Sequence, residues 1–288
     1  MRIVLIVAII ATTGGGPSRT AGATDSRVTV SPKTPVDKGA AYVLHRHIDD
    51  SDGPTPRHAG LIVHFHGAVE TIRDVMDRDK TAETVLVVNM PGLSAAYASP
   101  FQSNPDLFHT LLRIASAGRD DTEPAFERMT LSCFSAGYGA VREILKSGDA
   151  DRIDAVVAAD SIYAGLVDGA SERRVDPRDM APFLAFARRA AAGNAIFVLA
   201  HSAQPTPYAS TTETADYLLT ELGIPRTAAP IVGDDPFAVV SQADRSGFVV
   251  FGHAGDGKEA HLHHLRALEQ LWGEARARAD SRGFRRHE

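Results

Sequence analysis

Short runs of apolar, largely β-branched residues recur along the chain, and each is followed by small or turn-forming residues. They are Leu61-Ile62-Val63-His64-Phe65-His66, Val85-Leu86-Val87-Val88-Asn89, Met129-Thr130-Leu131-Ser132-Cys133-Phe134, and the stretches 153–159, 195–200 and 248–251. Unbroken runs of this length predict strands buried on both faces, the pattern of a parallel sheet. Between them apolar residues recur at helical spacing. Leu107, Leu111, Leu112, Ile114 and Ala115 do so over 105–117, and Val141, Ile144 and Leu145 over 137–147, where Gly148 supplies a stop. Leu262, Leu265, Leu268, Leu271 and Trp272 form one stripe over 259–272. Ser210-Thr211-Thr212-Glu213 predicts a capping box for a helix through Leu222, closed by Gly223 and Pro225.

Strand alternating with helix predicts an α/β fold, a mostly parallel central sheet flanked by helices on both faces. Val28–Val30 and Ala41–Leu44 are expected to add an antiparallel edge. The stretch 161–182, Gly- and Arg-rich with Pro177 and Pro182, reads as an excursion or minimal cap, and 274–288 as a frayed basic tail. No period of 20–50 residues recurs, which argues against solenoids and propellers. One domain over 24–288, without a linker, is the expected organisation.

The N-terminus has a different character. Met1-Arg2 is a positive start, Ile3 to Ala11 an apolar run, and Ala21-Gly22-Ala23 has the A-x-A form of a signal-peptidase site. The run is too short to span a hydrocarbon core of about 30 Å, and no cysteine follows it to carry a lipid. A signal peptide over 1–23 and export, periplasmic or extracellular, are expected, with no stable membrane anchor.

Composition narrows the function classes. The chain is 44% hydrophobic and 23% charged with a formal net charge of −6, which suits a sizeable core and argues against a nucleic-acid partner. Cys133 is the only cysteine, so neither an internal disulfide framework nor a cysteine-rich zinc module is available. A hydrolytic or metabolic domain acting on a small molecule is the default that remains.

The chemistry concentrates where Cys133-Phe134-Ser135-Ala136-Gly137 joins a strand to a helix. A tight strand-to-helix turn exposes a serine oxygen at the sheet edge, in a strained conformation that needs small neighbours. Ala136, Gly137 and Gly139 meet that need, and the helix N-terminus favours developing negative charge. As a bland alternative, Ser135 would simply cap the helix.

In these residues and in the strand order of roughly 40–273, the chain resembles the α/β-hydrolase fold family. It departs from the family's G-x-S-x-G in having Cys133 at the first position. The resemblance implies a Ser-His-Asp triad, an acyl-enzyme intermediate and no metal or organic cofactor. It also implies that the loop His66-Gly67-Ala68 donates one backbone N–H to the oxyanion, from Gly67 or Ala68, and that Ala136 donates the other.

In this family the acid and base follow the serine along the chain. After the last predicted strand the candidate bases are His253, His261 and His264, with His263 pointing away, and His261 has the best reach. The loop after 196–200 holds no carboxylate, so Asp160, closing the preceding strand, is the favoured acid, with Asp256 as runner-up. Tyr97, Phe101, Tyr163 and Tyr208 are candidates to wall a cleft.

A rival places metal-dependent hydrolysis on His64 and His66, which share a face if both lie on one strand, completed by His201, His253 and Asp160. A non-catalytic binding protein on the same fold is the third reading. Cleavage of carboxylic esters is the favoured one.

Overall fold

The apolar runs become strands, and the way they pair sets where the chemistry can sit. The computed structural model describes residues 28–46, 60–79, 83–117, 126–230 and 235–281. The expected signal peptide lies outside them. Along the chain come β1 (Val28–Val30), β2 (Thr34–Val36), β3 (Gly39–Arg46), β4 (Leu61–Phe65), α1 (Val69–Asp79), β5 (Thr84–Asn89), α2 (Ser94–Ser103) and α3 (Leu107–Ala115). Then follow β6 (Met129–Phe134), α4 (Tyr138–Lys146), β7 (Ala155–Ala159), α5 (Pro177–Ala191), β8 (Ile196–His201) and α6 (Thr211–Leu222). The chain closes with β9 (Thr227–Ala228), β10 (Val239–Arg245), β11 (Phe248–His253), α7 (Lys258–Arg266) and α8 (Leu268–Ser281).

The sheet runs β1-β3-β5-β4-β6-β7-β8-β11-β10-β9, with β2 folded onto β3. From β5 to β11 every pairing is parallel, and each edge is antiparallel. The strand order reverses between β4 and β6, which opens a crevice at the carboxyl ends of these two strands. The loop His66-Gly67-Ala68 and Ser135 both emerge there.

Alternate residues of the central strands feed two cores. Val63, Leu86, Leu131, Val156 and Leu199 face α3 to α6, while Ile62, Val85, Val157 and Val198 face α1, α7 and α8. Trp272 is buried in the second core, and its indole N–H donates to Ser132 Oγ at 3.0 Å.

Several expectations change. The excursion ends at Asp176, because Pro177 opens α5: proline suits a first helical position, and the Asp176 side chain accepts the Arg178 N–H. The tail is helical to Ser281, with Ala275 and Ala279 buried and Arg276 paired to Asp79 and Glu83. The single stripe over 259–272 divides into α7 and α8 at Ala267. Strand β10 was not anticipated, since its mixed, half-exposed residues lie on an antiparallel edge where alternation and apolar runs weaken. Helices α1 and α2 were also missed; α1 buries only Ile72, Val75 and Met76, and α2 contains Pro100. The capping box at Ser210 and Glu213 is present, and Gly223 closes α6 in the left-handed conformation. No helix among the described residues is long and apolar enough to cross a membrane.

The turn after β6 is packed to its limit. A Cβ on Gly137 would stand 2.1 Å from the Phe65 carbonyl oxygen, and one on Gly139 would stand 2.2 Å from the Ser94 carbonyl oxygen. Both contacts are with backbone, which cannot rotate aside. Gly137→Ala is therefore expected to destabilise the protein by about 1–3 kcal/mol, read by urea unfolding. A wild-type midpoint in that variant would mean the turn is looser than the contact implies.

Candidate active site

Ser135 follows β6 with φ of 47°, is partly exposed, and opens a turn of 3₁₀ helix that leads into α4. A non-glycine residue in the left-handed region is uncommon and marks a position that its surroundings hold in place. His66 (φ 73°), Asp160 (φ 41°) and Ile162 (φ 73°) share this property, so four of the six such residues described gather at one end of the sheet. Strain is concentrated where β4, β6 and β7 end. The Ser135 carbonyl is held from below by the Ser161 hydroxyl at 2.7 Å.

Asp160 is fully buried and all of its acceptor capacity is used. Oδ1 accepts from Ser202 N–H at 2.9 Å and Thr211 Oγ1–H at 2.7 Å, and Oδ2 accepts from Ser202 Oγ–H at 2.8 Å. The fourth contact is His261 Nδ1, 2.7 Å from Oδ2. Burial alone raises the pKa of this carboxyl. The His261 hydrogen bond, the charge of the His264 and His261 rings and the Ser202 N–H together carry it well below the usual carboxylate range. With four donors on two oxygens there is no place for a proton, so Asp160 is a carboxylate. His261 comes from α7, and its ring lies 4.5 Å, centroid to centroid, from that of Phe134, the residue before Ser135. Asp160 and His261 thus pair across separate segments, with the His261 ring against the residue that precedes Ser135.

The other candidate bases are occupied elsewhere. His253 Nδ1 bonds the Phe237 carbonyl at 2.9 Å. His264 is buried and bonds the Ala260 carbonyl through Nδ1 at 2.8 Å, its burial lowering its pKa to about 4. His263 stacks on Phe237. Asp256 is exposed on its loop.

The loop after β4 is held by side chains that the sequence pattern did not single out. Asn89, at the end of β5, accepts the Gly67 N–H at 3.1 Å and donates to the Gly67 carbonyl at 2.7 Å. This corrects the expectation for Gly67, whose amide is already engaged. Among the described residues the Ala68 N–H donates to nothing, and Ala136, as the second residue of its turn, precedes the first intrahelical bond. Neither amide has a backbone acceptor among the described residues.

His64 and His66 do not share a face, because His66 has left the strand with positive φ. The His66 carbonyl can only accept, so the neutral His64 ring carries its proton on Nε2 and donates to that carbonyl at 3.1 Å. Its Nδ1 then accepts from Ser132 Oγ at 2.9 Å, whose oxygen receives the Trp272 N–H. Among the described residues, no group of three or more His, Cys, Asp or Glu side chains is arranged to hold a metal ion. Burial pulls the His64 pKa from 6.5 down to about 3.

Because the unfolded chain takes up this proton first, stability is lost as pH falls below about 6.5, on the order of 3 kcal/mol by pH 4 from His64 alone. Urea unfolding at pH 7 and pH 4.5 checks this: His64→Gln should lose less stability between the two pH values than the wild type does. An equal loss would refute the assignment.

The aromatic candidates separate into two groups. Tyr97 is buried, and its hydroxyl takes the Met90 N–H at 3.1 Å and meets His66 Nδ1 at 2.8 Å, so it supports the loop rather than walling a cleft. Phe101 packs edge-on against the core residue Phe65. Tyr163 and Tyr208 meet edge to face at 5.4 Å beside the Asp160 turn, with Tyr208 exposed, and Tyr138 adjoins Tyr163.

No family model and no curated protein matches this sequence. Solved structures do. The chain is similar to S-formylglutathione hydrolase (FrmB) from Staphylococcus aureus, with a TM-score of 0.50 and 12% identity over 87% of this chain and 97% of that one. It is similar to FphF, the fluorophosphonate-binding serine hydrolase F of Staphylococcus aureus, at 0.48 and 12% over 86% and 97%. Est1E from Butyrivibrio proteoclasticus aligns at 0.42 and 8% over 86% and 100%. At such identities the likeness is one of fold.

Proposed function

On the α/β-hydrolase fold that this chain adopts, we propose a serine hydrolase that cleaves carboxylic esters of small molecules. The observation that carries this reading is the His261–Asp160 contact of 2.7 Å, with the His261 ring packed on Phe134, next in sequence to a serine held at φ 47° on a strand-to-helix turn. The accompanying chemistry is covalent. Ser135 Oγ attacks the acyl carbon while His261 Nε2 takes its proton, and the carbonyl oxygen becomes an oxyanion. The amides of Ala68 and Ala136 hold that charge, where loss of one such donor costs about 3–4 kcal/mol. As the intermediate collapses, the proton on His261 passes to the departing alcohol. Water then repeats the sequence on the acyl-serine and releases the acid. Asp160 remains a carboxylate throughout and keeps the His261 proton on Nδ1.

This chemistry draws on no metal or organic cofactor. Tyr163 and Tyr208 flank the site as its aromatic wall, and the N-terminal sequence directs the chain to export. Esters are preferred over amides because an alkoxide leaves more readily than an amine. Intact-mass analysis after fluorophosphonate treatment, on wild type and Ser135→Ala with and without chelator, is the test. A Ser135-dependent adduct that chelator leaves intact is expected, and the absence of any adduct would remove the serine mechanism.

A further inference from the structure

One ring at the site has its protonation fixed by its neighbours in a way the triad does not use. The Tyr97 hydroxyl is buried, and its oxygen already receives the Met90 N–H at 3.1 Å. Its own proton has a single acceptor among the described residues, His66 Nδ1 at 2.8 Å. Nδ1 of His66 is therefore the nitrogen without hydrogen, and the neutral ring carries its proton on Nε2. Burial keeps Tyr97 protonated, with a pKa pushed up to about 12, and burial together with the charge of His261 lowers His66 to about 4. The ring is then neutral and of one tautomer at ordinary pH.

The Nε2–H has no partner among the described residues, while the ring is partly exposed. It lies parallel to Phe134 at 5.9 Å, and Phe134 in turn meets the His261 ring at 4.5 Å. Phe134 thus packs against both the His66 ring and the ring of His261, the base of the proposed mechanism. In the proposed mechanism the base must reach the departing alcohol, which puts the alcohol portion of the ester beside these two rings while the backbone amides take the carbonyl oxygen.

We propose that His66 is a specificity-determining residue whose Nε2–H donates to an oxygen on the alcohol portion of the ester, so that the enzyme prefers esters of oxygen-bearing alcohols over esters of plain alkyl alcohols. The proposal rests on the serine-esterase reading and deepens it. His66 takes no proton in the reaction. A site that offers a donor discriminates against a substrate lacking the acceptor, because the donor is then left unpaired after water is displaced.

The probes are 2-methoxyethyl acetate and butyl acetate, which match in length and differ by one ether oxygen. In the wild type, the ratio of their kcat/KM values is expected to favour the ether by about tenfold or more. His66→Phe keeps the stacking on Phe134 and should collapse that ratio, whatever it does to overall rate. Tyr97→Phe should collapse it too, by releasing the tautomer. His66→Gln, whose amide N–H falls near the place of Nε2, should restore much of it. Nitrogen-15 NMR of the wild type supplies a readout apart from turnover and should show His66 protonated on Nε2 at pH 7. An Nδ1–H tautomer, or a ratio that His66→Phe leaves unchanged while Ser135 still labels with fluorophosphonate, overturns this assignment alone. If Ser135 does not label, the parent reading falls and takes this one with it.

Discussion

Replacing Ser135 with alanine is expected to lower ester turnover by a factor on the order of 10⁴–10⁶ and to abolish the fluorophosphonate adduct. The size of the effect follows from what is removed. Without the hydroxyl no acyl-enzyme forms, and His261 and Asp160 have no nucleophile to activate. What survives is binding and polarisation by the Ala68 and Ala136 amides, which in comparable enzymes leaves about 10³–10⁴ over the uncatalysed reaction. The fold should be indifferent to the change. Ser135 makes its described contact through its carbonyl, to Ser161, and alanine retains that carbonyl. Alanine must still take φ 47°, so a loss of stability of up to about 1–2 kcal/mol is tolerable within the prediction. The measurement is kcat on an acetate ester together with intact mass after probe treatment. Adduct on Ser135→Ala would move the nucleophile elsewhere, and turnover above about a tenth of wild type would refute the mechanism.

The part of this site that can be read from sequence is the part built by neighbours in sequence. Ser135 is legible because a buried strand, two small residues and an amphipathic helix follow one another without interruption. Asp160 is legible as a carboxylate closing an apolar strand, and His261 as a ring one short loop beyond the last parallel strand. The structure pairs Asp160 with His261 and sets the His261 ring against Phe134, the residue before Ser135. The rest of the site is made by pairs that are remote in the chain. Ser202 lies 42 residues and Thr211 51 residues from the carboxylate they hold. Nothing in the His201-Ser202 loop marks it as an anion cradle until β7 and β8 pair in register. Thr211 was read only as part of a capping box, a role its neighbour Ser210 performs. Asn89 was visible as a strand end, yet its grip on Gly67 depends on β4 and β5 being adjacent.

Two misreadings have a common source. Tyr97 is a candidate for a cleft wall by residue type, but its hydroxyl has two partners in the interior, which only packing reveals. Pro177 and Pro182 mark an excursion when read by residue type, although the first stands where a helix begins and the second lies within it. In each case residue type was taken without its position. The parallel sheet was more legible than the edges, because burial on both faces writes an unbroken apolar run whereas a half-exposed edge such as β10 does not.

Asp160→Asn should be almost as damaging to turnover as loss of the nucleophile, about 10⁴-fold, through a change of one atom. The cradle decides how the new amide sits. Its nitrogen cannot take the place of Oδ1, since that atom faces the Ser202 backbone N–H at 2.9 Å and a backbone donor cannot reverse. The nitrogen must take the place of Oδ2, opposite His261 Nδ1 and Ser202 Oγ, both of which can adapt: the hydroxyl by rotating, the imidazole by changing tautomer. His261 then accepts at Nδ1 and carries its proton on Nε2, the nitrogen that should receive the serine proton. The ring stays in place but is protonated on the wrong side. Three readouts separate this from simple unfolding. Nitrogen-15 NMR should show His261 switching from the Nδ1–H to the Nε2–H tautomer, the urea midpoint should move little, and kcat should fall far more than KM changes. If Asp160→Asn kept more than about a tenth of wild-type kcat, or if the tautomer did not switch, the carboxylate would not be the group that orients the base.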